Sequence, residues 1–317
     1  MSEYTSPLAP VLKEYTSFRQ ASGRWSESYD VSLRLFDKHC KAICTDSDVL
    51  TQAMVDGWCA KRGTESNNSC RRRIYPVASL IIYMQRRGMT DVKAPVIPRQ
   101  EPNAYIPHAF TPDELTNFFH ACDNIPSIQT KKGKWRRMTI PVFFRLLYSS
   151  GIRTTEARLL RRSGVDLARG VLNIEYSKGH AQHFAVLNDS VLRLTQMYDL
   201  AVGALYPNRT YFFPYGEDSH LTADWVQRNF SEMWRKKNSA HAIPYEFRHN
   251  YAVENINSWT DDGFGFNDKL CYLSKSMGHS VIESTKYYYS LVPRLADVLA
   301  ARTDEDEMIP GVPHEGF

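Results

Sequence analysis

The stretch that most constrains this chain is DVKAPVIPRQEPNAYIP, residues 91–107, which carries four prolines. Each proline fixes its own φ, withholds an amide donor and biases the residue before it toward extended backbone. Neither a helix nor a central strand tolerates that density, so the segment reads as an extended linker. A chain cut there must bury two cores, and 317 residues with 43% hydrophobic content suffice for both. A new start follows directly. Thr111-Pro112-Asp113-Glu114 offers an N-cap, a proline at the first helical position and a glutamate at N3. The expected organisation is a helical domain over 1–95, a linker over 96–107 and a second domain over 108–317.

The first domain reads as helices broken by polar turns. SESYDVSLRLFDKHCKAIC (26–44) spaces Val31, Leu33, Leu35, Phe36 and Cys40 helically, 47–63 opens on Ser/Asp and ends on Gly63, and 65–88 ends on Gly88. Arg71, Arg72 and Arg73 lie in the first turns of that last helix, on a wet face or against phosphates. In the second domain, 135–151 predicts an apolar helix stopped by Gly151, and 153–167 a second helix. Residues 170–188 predict two short strands around a Lys-Gly-His turn, and 222–238 and 245–259 two more helices. A last helix pair is split at Gly278. The fold class expected is mainly α with a small β-hairpin, an α+β second domain.

Charge narrows the partners. The net charge is only +4, yet residues 131–180 hold 12 Lys/Arg against 3 Asp/Glu, while 301–317 hold 1 against 5. A concentrated basic segment that includes Lys131, Lys132, Lys134, Arg136 and Arg137 suits a polyanion met by one face. No apolar run reaches the ~18 residues a membrane span needs, and the N-terminus lacks the plan of a signal peptide. The expectation is a soluble, intracellular protein with no membrane partner. Six cysteines form no paired C-x-x-C knuckle, and one face of a buried helix accounts for Cys40 and Cys44 better than a metal does.

Three basic residues from separate segments carry the chemistry. Arg153 follows the Gly151 turn and opens a helix, where backbone amides already favour an anion. Lys178 sits at the hairpin tip, and Arg248 sits early in a helix after Pro244. Singly, each has an ordinary explanation as an ion pair, a turn lysine or a surface arginine. Their order does not: G-I-R-x-x-E, a hairpin lysine, Y-E-F-R-H, M-G-H, then a tyrosine nine residues on. Over 108–290 the chain resembles the tyrosine recombinases, the phage integrase-type enzymes, and 10–90 matches their helical core-DNA-binding domain in length and position.

The resemblance implies a two-domain, C-shaped clamp on double-stranded DNA, with a SAM-like N-terminal domain. It implies Arg153 and Arg248 on the scissile phosphate, a role that suits planar, always-charged guanidinium forks. Lys178 matches the general acid for the leaving 5′ oxygen, its ordinary pKa of about 10.4 lowered by nearby arginines. His279 matches a donor to a phosphate oxygen and Glu156 a supporting acid. Tyr245 stands where many members have histidine, and a phenol is a poorer proton shuttle at neutral pH. His249, one residue past Arg248, points about 100° away from it and is set aside as a substitute.

Tyr287, Tyr288 and Tyr289 also project about 100° apart, so they cannot share one phosphate. In the family pattern the nucleophile lies nine residues after the histidine and three after a threonine. From His279 and from Thr285, both counts end on Tyr288. A phosphotyrosine conserves the energy of the phosphodiester, so rejoining calls for no ATP, metal or other cofactor. The expected function is integration, excision or transposition of a mobile element through a 3′-phosphotyrosyl intermediate. A homotetramer on two sites, accessory factors and a tail over 290–317 docking in trans accompany it. Rival readings are an Xer-like dimer resolver, a relaxing type IB topoisomerase and a sequence-specific DNA-binding protein with little turnover.

Overall fold

The computed structural model describes residues 4–43, 49–101, 107–175, 182–216, 218–259, 265–279 and 282–289. The chain divides into two compact units, Met1–Tyr105 and Ile106–Phe317. No helix among the described residues is long and apolar enough to cross a membrane.

The first unit holds α1 (Ala9–Ala21), α2 (Glu27–Ile43), α3 (Gln52–Cys59) and α4 (Asn67–Gln85). Thr51 and Ser66 cap α3 and α4, each accepting the amide three residues on. Their apolar faces close on Leu12, Tyr15, Leu33, Phe36, Val55, Trp58, Val77, Leu80 and Ile81. Cys40 is buried among them, as a helix-face cysteine should be. Cys44 lies outside the described residues.

The three consecutive arginines of α4 do not share a face. Arg72 is exposed and Arg71 is half-buried, donating to the Pro98 carbonyl at 3.1 Å. Arg73 turns inward, which corrects its expected place on a phosphate. Its Nε and Nη2 donate to Glu65 at 2.9 and 2.5 Å, and Nη1 donates to the Trp58 carbonyl. That guanidinium holds the Glu65 carboxyl down to about 2. Successive helical residues step by about 100°, so three in a row cannot all stay wet.

The second unit holds α5 (Pro112–Asp123), α6 (Lys131–Ser150), α7 (Thr154–Leu159), β1 (Val165–Asp166), β2 (Val171–Ile174) and β3 (His183–Val186). It continues through α8 (Asp189–Leu205), α9 (Ala223–Trp234), α10 (Glu246–Asn257), α11 (Phe266–Ser276) and α12 (Glu283–Tyr289). Thr111 and Glu114 form the expected reciprocal capping box at α5. α6 is the central helix, packed by α5, α8 and α10. Phe118, Phe143, Phe144, Phe230 and Phe247 are fully buried around it, each ring stabilising by roughly 1.5–3 kcal/mol. The strands form one antiparallel sheet in the order β1-β2-β3.

Two expectations need correction. The helix read over 153–167 stops at Leu159, and a single 3-10 turn leads into β1. The chain beyond it has better partners than a helix: the Leu160 carbonyl accepts from Phe212 N at 2.8 Å, and Arg162 N donates to Thr210 O at 3.0 Å. Gly164 completes the turn, because a Cβ there would lie 2.9 Å from the Asn173 carbonyl. Residues 189–205, assigned no element from the sequence, form α8. Asn188 caps it, and Val191, Thr195, Tyr198 and Val202 make its buried stripe.

Candidate active site

Two glycine turns and two arginines build the site. Gly151 ends α6 at φ +64 and Gly278 follows α11 at φ +63, the left-handed conformation glycine tolerates. Both are also closely packed. A Cβ on Gly151 would meet the Tyr251 ring at 2.2 Å, and one on Gly278 would meet the His183 ring at 2.5 Å. These helix ends leave carbonyls without helical partners, and the arginines take them. Arg248, on α10 and 2% exposed, donates to Gly151 O and Met277 O, both at 2.7 Å. Arg153, at the N-cap of α7, donates to Gly278 O at 3.1 Å.

Glu156 holds Arg153 from the first turn of α7. Its carboxylate accepts the Arg153 amide at 2.7 Å and Nη1 at 2.5 Å, with the Glu156 side chain only 1% exposed. One carboxylate thus satisfies a helix-terminal amide and orients a guanidinium.

His279 lies between Arg248 and α12. Its Nε2 is 2.8 Å from Arg248 Nη2, and a guanidinium only donates, so Nε2 accepts. The proton therefore sits on Nδ1, which donates to Thr285 Oγ1 at 2.7 Å. Burial, with Arg248 and Arg153 nearby, pushes His279 down to about 4. The ring is neutral at physiological pH.

Tyr288 is 4% exposed, its ring stacked on His279 at 6.0 Å and 13°. Burial raises its phenol, and the Arg248 charge partly opposes the rise. The side chains of Tyr287 and Tyr289 lie outside the described residues, as does Lys178 in 176–181.

The structure also brings in His249. It does point away from Arg248, and in that direction it meets the Tyr288 ring at 5.3 Å. Its other face meets Tyr245, four residues earlier on the chain, also at 5.3 Å. Burial lowers the His249 pKa. Tyr245, at the α10 N-cap, is half exposed at the outer end of this run of rings. His183 is a second residue the motifs did not mark. It is buried at the start of β3, its Nε2 3.7 Å from Glu156 Oε2. Its only sequence signal is the strand alternation that buries His183 and Ala185.

Of the basic residues expected on DNA, Lys131, Lys132, Lys134 and Arg137 are exposed along the first turns of α6. Lys131 and Lys132 lie over the Tyr206 and Tyr215 rings at 4.2 and 5.8 Å. Arg136 is turned aside, donating to Asn229 Oδ1 at 2.7 Å and to Glu232 Oε2 at 2.6 Å. Among the described residues, no group of three His, Cys, Asp or Glu is placed to hold a metal ion.

Comparison with known proteins points the same way. The chain is 24% identical over 307 residues to the integrase/recombinase-type protein y4rE of Sinorhizobium fredii (strain NBRC 101917 / NGR234), covering 91% of this chain and 93% of that one. It is 21% identical over 268 residues to the tyrosine recombinase XerC of Roseiflexus castenholzii (strain DSM 13941 / HLO8), covering 77% and 78%. Its fold is similar to that of a XerH site-specific recombinase bound to difH substrate, with a TM-score of 0.61 at 17% identity over 94% of this chain and 85% of that one. Residues 108–293, which hold every element of the site just described, match the phage integrase family. The chain therefore belongs to the phage integrase family, the tyrosine recombinases that cleave and rejoin DNA.

Proposed function

We propose that this chain recombines double-stranded DNA at specific sites, with Tyr288 as the nucleophile. The observation that carries the reading is the meeting of Arg153, Arg248, His279 and Tyr288 from four separate elements within one hydrogen-bonded cluster. The Tyr288 hydroxyl attacks the scissile phosphorus, its proton passes to solvent, and the bond from phosphorus to O5′ breaks. Lys178 protonates the leaving O5′, and the product is a 3′-phosphotyrosyl ester that another strand's 5′-hydroxyl reverses. Arg153 and Arg248 stabilise the charge that builds on the five-coordinate phosphorus. Helix ends and Glu156 already hold both guanidiniums, so they need little reorganisation at the moment of reaction.

The first turns of α6 support the DNA reading independently. Five of its first seven residues are Lys or Arg, with no acidic residue in the first turn. Cations at a helix N-terminus oppose the dipole, by roughly 0.3–1 kcal/mol each. A phosphate backbone beside Lys131, Lys132, Lys134 and Arg137 offsets that cost, and Arg71 and Arg72 extend the reading to the first unit. The reading includes a homotetramer exchanging strands at two sites, with the 290–317 tail docking in trans. The y4rE likeness over most of both chains favours a mobile-element integrase. The XerC likeness keeps a dimer-resolving role as the second reading.

The test uses nicked suicide substrates built from candidate sites, with covalent protein–DNA bands resolved on a denaturing gel. Tyr288→Phe abolishes the band, while Tyr287→Phe and Tyr289→Phe retain it. A band that survives in Tyr288→Phe and vanishes in a neighbour overturns the assignment. Shifted complexes on native gels with no covalent band from any version make the chain a DNA-binding protein only.

A further inference from the structure

We infer that Glu246 is a positioning residue for Arg248. It fastens the entry turn of α10 to the backbone at His108, so that the guanidinium stands at a fixed place. The inference rests on the proposed function, since it takes Arg248 as a group that meets the scissile phosphate.

Glu246 is 2% exposed, and its two carboxylate oxygens take amides from different parts of the chain. Oε2 accepts from Ile243 N at 2.7 Å, and Oε1 accepts from His108 N at 3.0 Å, 138 positions away. The first bond does the work of a helix cap. At α5 and α8 the residue that opens the helix supplies that bond, from Thr111 and Asn188, but Tyr245 makes no such bond for α10. The second bond ties the turn to a segment that is itself held. His108 Nε2 lies 2.9 Å from Glu114 Oε2, and the Phe110 ring packs on Trp234 and Phe247 at 5.4 and 5.1 Å.

The entry to α10 is a run of three-residue turns. Glu246, Phe247 and Arg248 donate their amides to the carbonyls of Ile243, Pro244 and Tyr245. Arg248 leaves from the end of this run and reaches Gly151 O, Met277 O and His279 Nε2 on other elements. Where its backbone stands decides whether one guanidinium meets all three. Without the Glu246 carboxylate, two amides lose their acceptor and the turn loses its tie to residue 108.

A displaced guanidinium has a distinctive signature. As the Tyr288 oxygen attacks and the bond to O5′ breaks, negative charge builds on the two non-bridging oxygens of the phosphate. A methyl group in place of one of them makes the diester neutral, so a cation beside it matters far less. The experiment measures single-turnover cleavage of suicide substrates with phosphate or methylphosphonate at the scissile position. It uses the full chain and its Arg248→Ala, Glu246→Ala and Glu246→Gln variants. Cleaved strand is counted whether it is held by the protein or released. Each variant is judged by its methylphosphonate-to-phosphate rate ratio in one preparation, which cancels any loss of folded protein.

Arg248→Ala loses about 100-fold or more on phosphate and comes within about 3-fold of the unmodified chain on methylphosphonate. Glu246→Ala loses roughly 10- to 100-fold on phosphate, the scale of a misplaced catalytic group, and recovers likewise on methylphosphonate. Glu246→Gln, which keeps an oxygen for one of the two amides, falls between Glu246→Ala and the unmodified chain. Where Glu246→Ala yields no folded protein, Glu246→Gln is read by the same ratio: a raised ratio supports the inference and an unchanged one overturns it. If Arg248→Ala recovers on methylphosphonate while Glu246→Ala loses both substrates equally, or loses neither, the inference about Glu246 is overturned and the phosphate role of Arg248 stands. If methylphosphonate does not restore Arg248→Ala, that role fails and takes this inference with it.

Discussion

Replacing Glu156 by glutamine is the sharpest test of how the cradle is held. The change is nearly isosteric, keeps one oxygen for the Arg153 amide and removes the charge. In its place an amide N–H₂ faces the guanidinium. The lost pair spans 2.5 Å, with side-chain exposures of 17% for Arg153 and 1% for Glu156. Removing one partner of a buried ion pair costs about 3–5 kcal/mol. Arg153 retains some solvent and the Gly278 carbonyl, so the lower end, about 3 kcal/mol, applies. In a unit of this size that corresponds to a Tm lowered by roughly 6–12 °C. Catalysis suffers separately, because a guanidinium displaced by about 1 Å costs on the order of 100-fold. The assay pairs thermal melting by circular dichroism with suicide-substrate cleavage rates measured well below the variant's Tm. A Glu156→Gln protein that melts within 2 °C of its parent (roughly 1 kcal/mol or less) and cleaves at the parental rate refutes this account of Arg153.

Four further outcomes follow. The His279 pKa is depressed from 6.5 to about 4 in the folded chain, so the imidazole's preference for neutrality stabilises the fold fully above 6.5. That contribution is lost as pH falls toward 4. Urea unfolding at pH 7 and pH 4.5 should show the parent losing about 1–2 kcal/mol more than His279→Gln, after allowance for solvent screening of a half-buried ring. Gly151→Ala places a Cβ within the Tyr251 ring at φ +64, and equilibrium unfolding should register a loss of about 3 kcal/mol. Arg72→Ala should lower the salt dependence of DNA binding by about one phosphate contact, read from log affinity against log salt. Arg73→Ala should leave that slope unchanged and lower the Tm, because it strips Glu65 of its partner.

The second domain was legible where local chemistry decides structure. The Thr111 capping box, the Gly151 stop and the pair of short strands all follow from residues near one another in the chain. The reading failed where distant partners decide. Residues 160–166 have an acceptable helical pattern, but the 210–212 backbone outbids the helix for Leu160 and Arg162. Measured against Arg248 alone, His249 points the wrong way. The 100° step that takes it away from Arg248 delivers it to Tyr288, because α12 packs on that side of α10. His183 had no motif to announce it, since its meaning lies in Gly278 and Glu156, 95 and 27 positions away. Arg73 could have been separated from Arg72 by periodicity alone, since Cys70, Arg73, Ile74 and Val77 mark the buried side of α4.

Arg248 shows why such a site is built this way. It is a 2% exposed guanidinium, and its hydrogen bonds among the described residues go to two carbonyls, a neutral imidazole and the Tyr288 hydroxyl, with no carboxylate ion pair. A buried cation compensated only by dipoles is costly, and a glutamate beside it would be the cheaper arrangement for stability. Such a glutamate would also compete with a phosphate for the same fork. Arg153, by contrast, keeps both its carboxylate and some solvent. The two arginines therefore divide the work, one anchored by charge and one left short of it. The His279 proton sits on the Thr285 side because Nε2 must accept from a guanidinium that can only donate. An arriving phosphate would supply that missing charge and relieve the cost. Under the proposed reading, the folded chain holds in advance the field that a pentacovalent phosphorus needs.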